Sequence, residues 1–180
     1  MKATGVVRRI DDLGRIVIPK EIRKTLRIKE GTPLEIFTEK DGDIILKKYS
    51  PIGELTNFSE QYVNSLFNVT NLVALVTDKD SVIAVSGTPK KNLLESSISE
   101  DLEKIIENRE PILGTSDNPI SVVKDNEINK KDKIVVPIIS DSEVIGSVVL
   151  VSKEKGQKIT EIEVEVAKVA ANFLGTQLEI

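Results

Sequence analysis

The chain has 180 residues, 39% of them hydrophobic and 30% charged, which allows a buried core and argues against wholesale disorder. It contains no Cys and no His, so disulfides, Cys/His zinc sites, thiol nucleophiles, His-dependent triads and His- or Cys-ligated haem are excluded. Aromatic residues make up 3%, with no Trp, too few for a base-stacking platform on single-stranded nucleic acid. The net charge of −4 divides unevenly: residues 1–50 hold 12 Lys and Arg against 8 Asp and Glu, and the remainder 13 against 21, so the parts carry +4 and −8. A basic segment on an acidic body points to a polyanion-facing module joined to a second unit. No apolar run reaches 18 residues and none opens the chain, so an unexported, cytoplasmic protein without a membrane segment is expected.

Thr4–Ile10 alternates loosely and reads as a strand, Asp11–Gly14 as a turn, and the β-branched Arg15–Ile18 as a second strand. Pro19 opens a short helix, with Glu21 suited to its first turn and Ile22 and Leu26 forming its inward stripe. Leu34–Thr38 and Ile44–Lys47 flank Lys40-Asp41-Gly42-Asp43, a hairpin signal. A segment of about fifty residues buries too little surface to be stable alone and has no staple, so it is expected to share a core with a second copy.

The run Thr4-Gly5-Val6-Val7-Arg8-Arg9-Ile10-Asp11-Asp12-Leu13-Gly14-Arg15-Ile16-Val17-Ile18-Pro19-Lys20-Glu21-Ile22-Arg23 resembles the N-terminal DNA-binding domain of transition-state regulators of the AbrB type. The similarity continues through Leu34–Phe37 and Ile44–Tyr49. It implies a swapped-hairpin β-barrel dimer with one short helix per chain, binding double-stranded DNA. The positions it marks for DNA are Arg8, Arg15, Arg23 and Lys24, the last standing where the best-known member has Arg. A Lys there suits a phosphate better than a guanine edge. Arg9 joins the candidates by charge and position, though a strand points it away from Arg8; Arg27 reads as a solvated helix end.

An AbrB-like head, then Tyr49-Ser50-Pro51-Ile52, then an acidic domain is similar to sporulation regulators of endospore formers whose second domain is a GAF domain. Ala84-Val85-Ser86-Gly87, Lys90-Lys91 and Ser97-Ile98-Ser99-Glu100 are the most family-like strings there. The expected organisation is a DNA-binding domain over 1–50, a linker over 51–55 and a GAF-like regulatory or assembly domain over 56–180.

Within the second domain, Leu55, Phe58, Tyr62 and Leu66 give one apolar helix face over 54–67. Leu72–Thr77 and Val82–Ser86 read as strands around Asp78–Ser81, and Ser99 as the N-cap of a helix to about Asn108. Pro119–Val123, Lys133–Ile139 and Val144–Val151 are three further strands, the last two a hairpin. Five strands with helices around them predict an α+β domain with an antiparallel sheet, in agreement with a GAF/PAS-like fold. The helix starting near Thr160 carries two apolar stripes, Ile162/Val166/Val169/Phe173 and Ala167/Ala170/Leu174/Leu178. One covers the sheet; the other asks for a helix of a second subunit, giving a homotetramer in addition to the head dimer.

There is no Gly-rich phosphate loop, Asp78 and Asp80 belong to a turn, and Lys90, Lys91 and Ser86 read as a solvated loop. No catalytic residue, metal ligand or cofactor is expected; an unidentified small-molecule ligand of the GAF-like domain stays open, with no residue assigned. The reading is a non-enzymatic transcription regulator, activator or repressor, bound to the nucleoid and, by the resemblance, acting late in the developing spore. The alternative is an antitoxin-like protein binder with the same head. A GAF-type sulfoxide reductase would need cysteines, and the chain has none.

Overall fold

A computed structural model describes residues 5–54, 56–154 and 157–178. The chain divides into two compact units, Met1–Tyr49 and Ser50–Ile180.

The first unit holds α1 (Lys20–Thr25) and the antiparallel hairpin of β1 (Leu34–Thr38) and β2 (Ile44–Lys48), in the register Leu34↔Lys48 to Thr38↔Ile44. The turn closes through Glu39 N–H on Asp43 O and Gly42 N–H on Glu39 O, both 3.0 Å. Pro19 sits one place earlier than expected, as the N-cap of α1, and Arg27 at φ 53° turns the chain out of the helix before Gly31 does. The two strands expected before α1 are absent among the described residues: 5–10 and 15–18 carry no ladder, and Thr4 lies outside the described residues. At the turn between them the N–H of Asp11 donates to Arg15 O at 3.0 Å. A strand needs a hydrogen-bonded ladder with a neighbour, and among the described residues no such ladder forms on either segment. No described residue of this unit is buried; Val7 is 85% exposed and Val17 70%.

The second unit opens on α2 (Pro51–Glu54), followed by α3 (Thr56–Thr70). The stretch expected as linker is therefore helical as far as Glu54, and Ile52 is fully buried among α3 and sheet residues, because an Ile beside a core gains more from burial than from solvent. Then come β3 (Val73–Thr77), β4 (Val82–Ser86), α4 (Glu100–Asn108), β5 (Ile112–Gly114), β6 (Lys133–Ser140), β7 (Glu143–Val151) and α5 (Glu161–Thr176). The sheet is antiparallel in the order β4-β3-β7-β6-β5.

The fifth strand is not where the sequence placed it. Pro119–Val123 forms only an isolated bridge, Val123 to Ile98. Pro119 has no N–H to give a ladder, and the N–H of Val122 goes to Asn129 Oδ1 at 2.8 Å. The edge strand is Ile112–Gly114, three residues long, too short for an alternation signal.

Side chains of β3, β6 and β7 alternate between two apolar clusters. On one face Ala74, Val76, Ile134, Val136, Val148 and Leu150 meet α3 and α5. On the other Val73, Leu75, Val135, Val149 and Val151 meet α4 and the segment 115–131. Ser99 caps α4, its Oγ accepting Leu102 N–H at 3.1 Å and donating to Ser121 O at 2.6 Å. Asp141 and Ser142 both take positive φ, 47° and 63°, the pairing that suits the tight β6–β7 turn. Glu163 accepts both the backbone N–H and the hydroxyl of Thr160, closing the N-terminus of α5.

One charged side chain is buried on the second face, at the start of β6. Lys133 is fully buried, and burial pushes its ammonium from 10.5 down to about 8, with the Asp132 carboxylate opposing the shift. Between about pH 8 and 10.5 the unfolded chain holds this proton and the folded one does not, so this group makes stability rise with pH there. The stability gap between wild type and Lys133→Met is expected to move in favour of wild type by on the order of 2–3 kcal/mol from pH 7 to 10.5. Urea midpoints across a pH series read it directly.

Candidate nucleic-acid interface

The five candidate cations, Arg8, Arg9, Arg15, Arg23 and Lys24, are all exposed. Three are guided by their own surroundings. Gly14 takes φ 76° and donates its N–H to Asp11 O at 3.0 Å, folding Asp11–Arg15 into a tight turn. The Asp11 carboxylate accepts the N–H of Arg15 at 2.8 Å, Arg15 Nε at 2.9 Å and the N–H of Leu13 at 3.1 Å. The Arg15 backbone bond, then its side chain and Leu13, hold the Asp11 carboxyl below the usual carboxylate range.

The Arg15–Asp11 pair is exposed and adds little stability. Its effect is orientation: Nε is engaged and the two Nη groups are left for an acceptor. Arg23 is arranged alike, its Nε donating to Ile18 O at 3.2 Å where the chain enters α1. Arg8 donates one Nη to Val7 O at 3.2 Å. Arg23 and Lys24 both fall in the last turn of α1, next to each other on a six-residue helix.

Asp11 is the residue that sequence reasoning passed over. It was read as a turn former, and its service to Arg15 was legible in the Asp-x-x-Gly-Arg spacing once a positive-φ turn brings positions 11 and 15 together. Lys47, with Nζ 4.8 Å from the centroid of the Phe37 ring, is a further cation fixed on the hairpin.

A small, unburied, positively charged β-hairpin unit followed by an α+β unit with a five-stranded antiparallel sheet defines an AbrB-like head on a GAF-like body. Residues 54–179 match the family described as "Stage V sporulation protein T C-terminal, transcription factor", and residues 7–54 match one described as "Antidote-toxin recognition MazE, bacterial antitoxin". The chain is 48% identical over 179 residues to "Stage V sporulation protein T" of Bacillus subtilis (strain 168), covering 99% of each. The head alone is 59% identical over 51 residues to "Transition state regulatory protein AbrB" of the same organism, spanning 28% of this chain and 52% of the relative. In fold, the crystal structure of the GAF domain from Acinetobacter phosphoenolpyruvate-protein phosphotransferase is similar at TM-score 0.58 and 14% identity, over 71% of this chain and 87% of that one. The chain belongs to the stage V sporulation protein T family of transcription factors.

Proposed function

We propose that this DNA-binding regulator of sporulation docks on duplex DNA as a dimer of interleaved heads. Arg8, Arg15, Arg23 and Lys24 from each copy would form one cationic face, with Arg9 at its margin. The observation that carries this reading is the head itself: an apolar, ladder-free ribbon with no buried residue, joined to exposed cations. Pairing each ribbon with a partner's would give its N–H and C=O groups a ladder and its Val and Ile side chains a core. Phosphate contacts then supply most affinity, and guanidinium forks and DNA deformability the sequence preference, favouring A·T-rich flexible sites.

The body acts in this reading as regulatory input and assembly module. On α5, Ala167, Ala170 and Leu174 are buried against the sheet while Ile162 is 75% exposed and Val169 65%. Tyr62, Leu66, Ile162, Val166 and Val169 line a groove of about 540 Å³ between α3 and α5. A second copy's α5 in that groove would join two head dimers into a tetramer. Among the described residues no helix is long and apolar enough to cross a membrane; placement on the nucleoid of the developing spore belongs to the same proposal.

If about six phosphates are neutralised, log Kd against log salt has a slope of magnitude roughly 5, read by fluorescence anisotropy of a labelled duplex. A slope near zero removes the electrostatic mechanism. The antitoxin-like alternative draws on the match over residues 7–54, but a wrapping tail is disordered, and here the following chain has its own two-sided core.

A further inference from the structure

The apolar side chains of the sheet face turned toward α4 are aliphatic, Val73, Leu75, Val135, Val149 and Val151 among them, with no aromatic ring in the cluster, and the hydroxyls of Thr77 and Ser147 in the same rows are tied to each other at 2.7 Å. Lys133 shares this face. It stands opposite Val151 in the β6–β7 ladder and two residues before Val135, and no part of it reaches solvent. Its Nζ donates to Asn129 O at 2.9 Å, its one hydrogen bond among the described residues, and no carboxylate there lies within ion-pair distance. Asp132 is turned to other partners, accepting the N–H and the hydroxyl of Ser116 at 2.9 and 3.1 Å.

An ammonium carries three donors and a full charge, and one neutral carbonyl compensates little of that in an aliphatic setting. The next three residues are Ile134, Val135 and Val136, so an aliphatic side chain would fit the strand at lower electrostatic cost.

The same carbonyl belongs to the residue that fastens the covering segment. Asn129 Oδ1 accepts Val122 N–H at 2.8 Å, and Nδ2 donates to Val123 O at 2.6 Å. Ile120 seats on Gly114, where a Cβ would come within 2.8 Å of it. The strap 115–131 thus closes over the aliphatic face, and its fastening and the buried cation meet at Asn129.

We propose that Lys133 is the recognition group of a site for a small aliphatic monocarboxylate, which takes the place of the Asn129 carbonyl on the ammonium when the 115–131 strap lifts. A carboxylate supplies the missing opposite charge, and an aliphatic tail matches the lining. Nucleotides, sugars and phosphorylated metabolites would bring polar groups that this face cannot satisfy. The inference concerns the body alone and goes beyond the docking of the heads, so it stands or falls independently of that reading.

The test uses the full chain. Melting of wild type and Lys133→Met is followed with straight and branched monocarboxylates of four to eight carbons, each beside its primary amide. At least one acid is expected to raise the midpoint of the body by roughly 5 °C at a hundredfold excess over its Kd. The matching amide gives no shift, and Lys133→Met loses the response. Hydrogen exchange at Val122 and Val123 of wild type quickens with the acid bound. The proposal is overturned if no acid in the series shifts wild type, if amides act as well as acids, or if exchange at those two amides does not change. A folded Lys133→Met that keeps the full response overturns it too; the acid–amide comparison on wild type needs no variant.

Discussion

Replacing Ile16 and Val17 together by Asp is expected to abolish duplex binding while every arginine of the head stays in place. In one chain these side chains are 53% and 70% exposed, beside Val7 at 85% and Ile10 at 66%. Such a surface, on a unit of 49 residues with no buried core among the described residues, is expected to be unstable alone. In the proposed interleaved dimer Ile16 and Val17 point to opposite faces of a strand, so one of the two would enter the shared core, and an Asp there would set a carboxylate among apolar side chains. An uncompensated buried charge costs about 3–5 kcal/mol, and one such site in each of two chains is comparable with the whole stability of a small domain. Duplex anisotropy should show at least a hundredfold weaker binding, with loss of the head's far-UV dichroism and retention of the body's. Undiminished affinity would mean that the ribbon is a solvent surface.

Gly146→Ala is expected to unfold the body. Gly146 lies in the middle of β7, paired with Ile138 of β6. A Cβ built there falls 1.9 Å from the carbonyl oxygen of Thr77 and 3.0 Å from its carbon. The obstacle is backbone of the neighbouring strand β3, which is itself laddered to β7 through Thr77↔Ser147, so it cannot move without parting the sheet. Ser147 and Thr77 are also tied through their hydroxyls at 2.7 Å, both fully buried. The loss should exceed about 4 kcal/mol, the range of severe core overpacking and strain. Thermal melting should show the cooperative transition of the body displaced by well over 10 °C or absent. A variant melting like wild type would contradict the close approach of β3 and β7.

Local signals carried most of the body's elements. The β3–β4 and β6–β7 hairpins, the Ser99 cap and the two stripes of α5 were readable because each is a pattern within one stretch of chain. Pro119–Val123 misled because a run of buried apolar residues looks the same whether its N–H groups meet a strand or, as here, the side chain of Asn129. Ile52 was read as linker because burial against α3 is a tertiary event with no periodicity over four residues.

In the head, alternation at 4–10 and 15–18 foretold strands, but a strand also needs a laddered partner, and among the described residues neither segment has one. Arg8, Arg15, Arg23 and Lys24 were marked by the family resemblance and Arg9 by charge and position, and all five are exposed. The orientation of Arg15 by Asp11 shows only in the Asp-x-x-Gly-Arg spacing taken together with a left-handed Gly14, and the spacing by itself reads as a turn. Lys133 opened an apolar run and passed as an ordinary strand end; only burial sets it apart.

The central claim is that guanidinium groups of the amino-terminal segment hold the duplex. A fluorescence-anisotropy titration of one labelled A·T-rich duplex with wild type and with Arg15→Ala/Arg23→Ala tests it most directly. At about 1–3 kcal/mol for each lost charged contact, the double variant should bind at least a hundredfold more weakly and with a shallower salt slope. Equal affinities for the two proteins, both folded, would contradict the account.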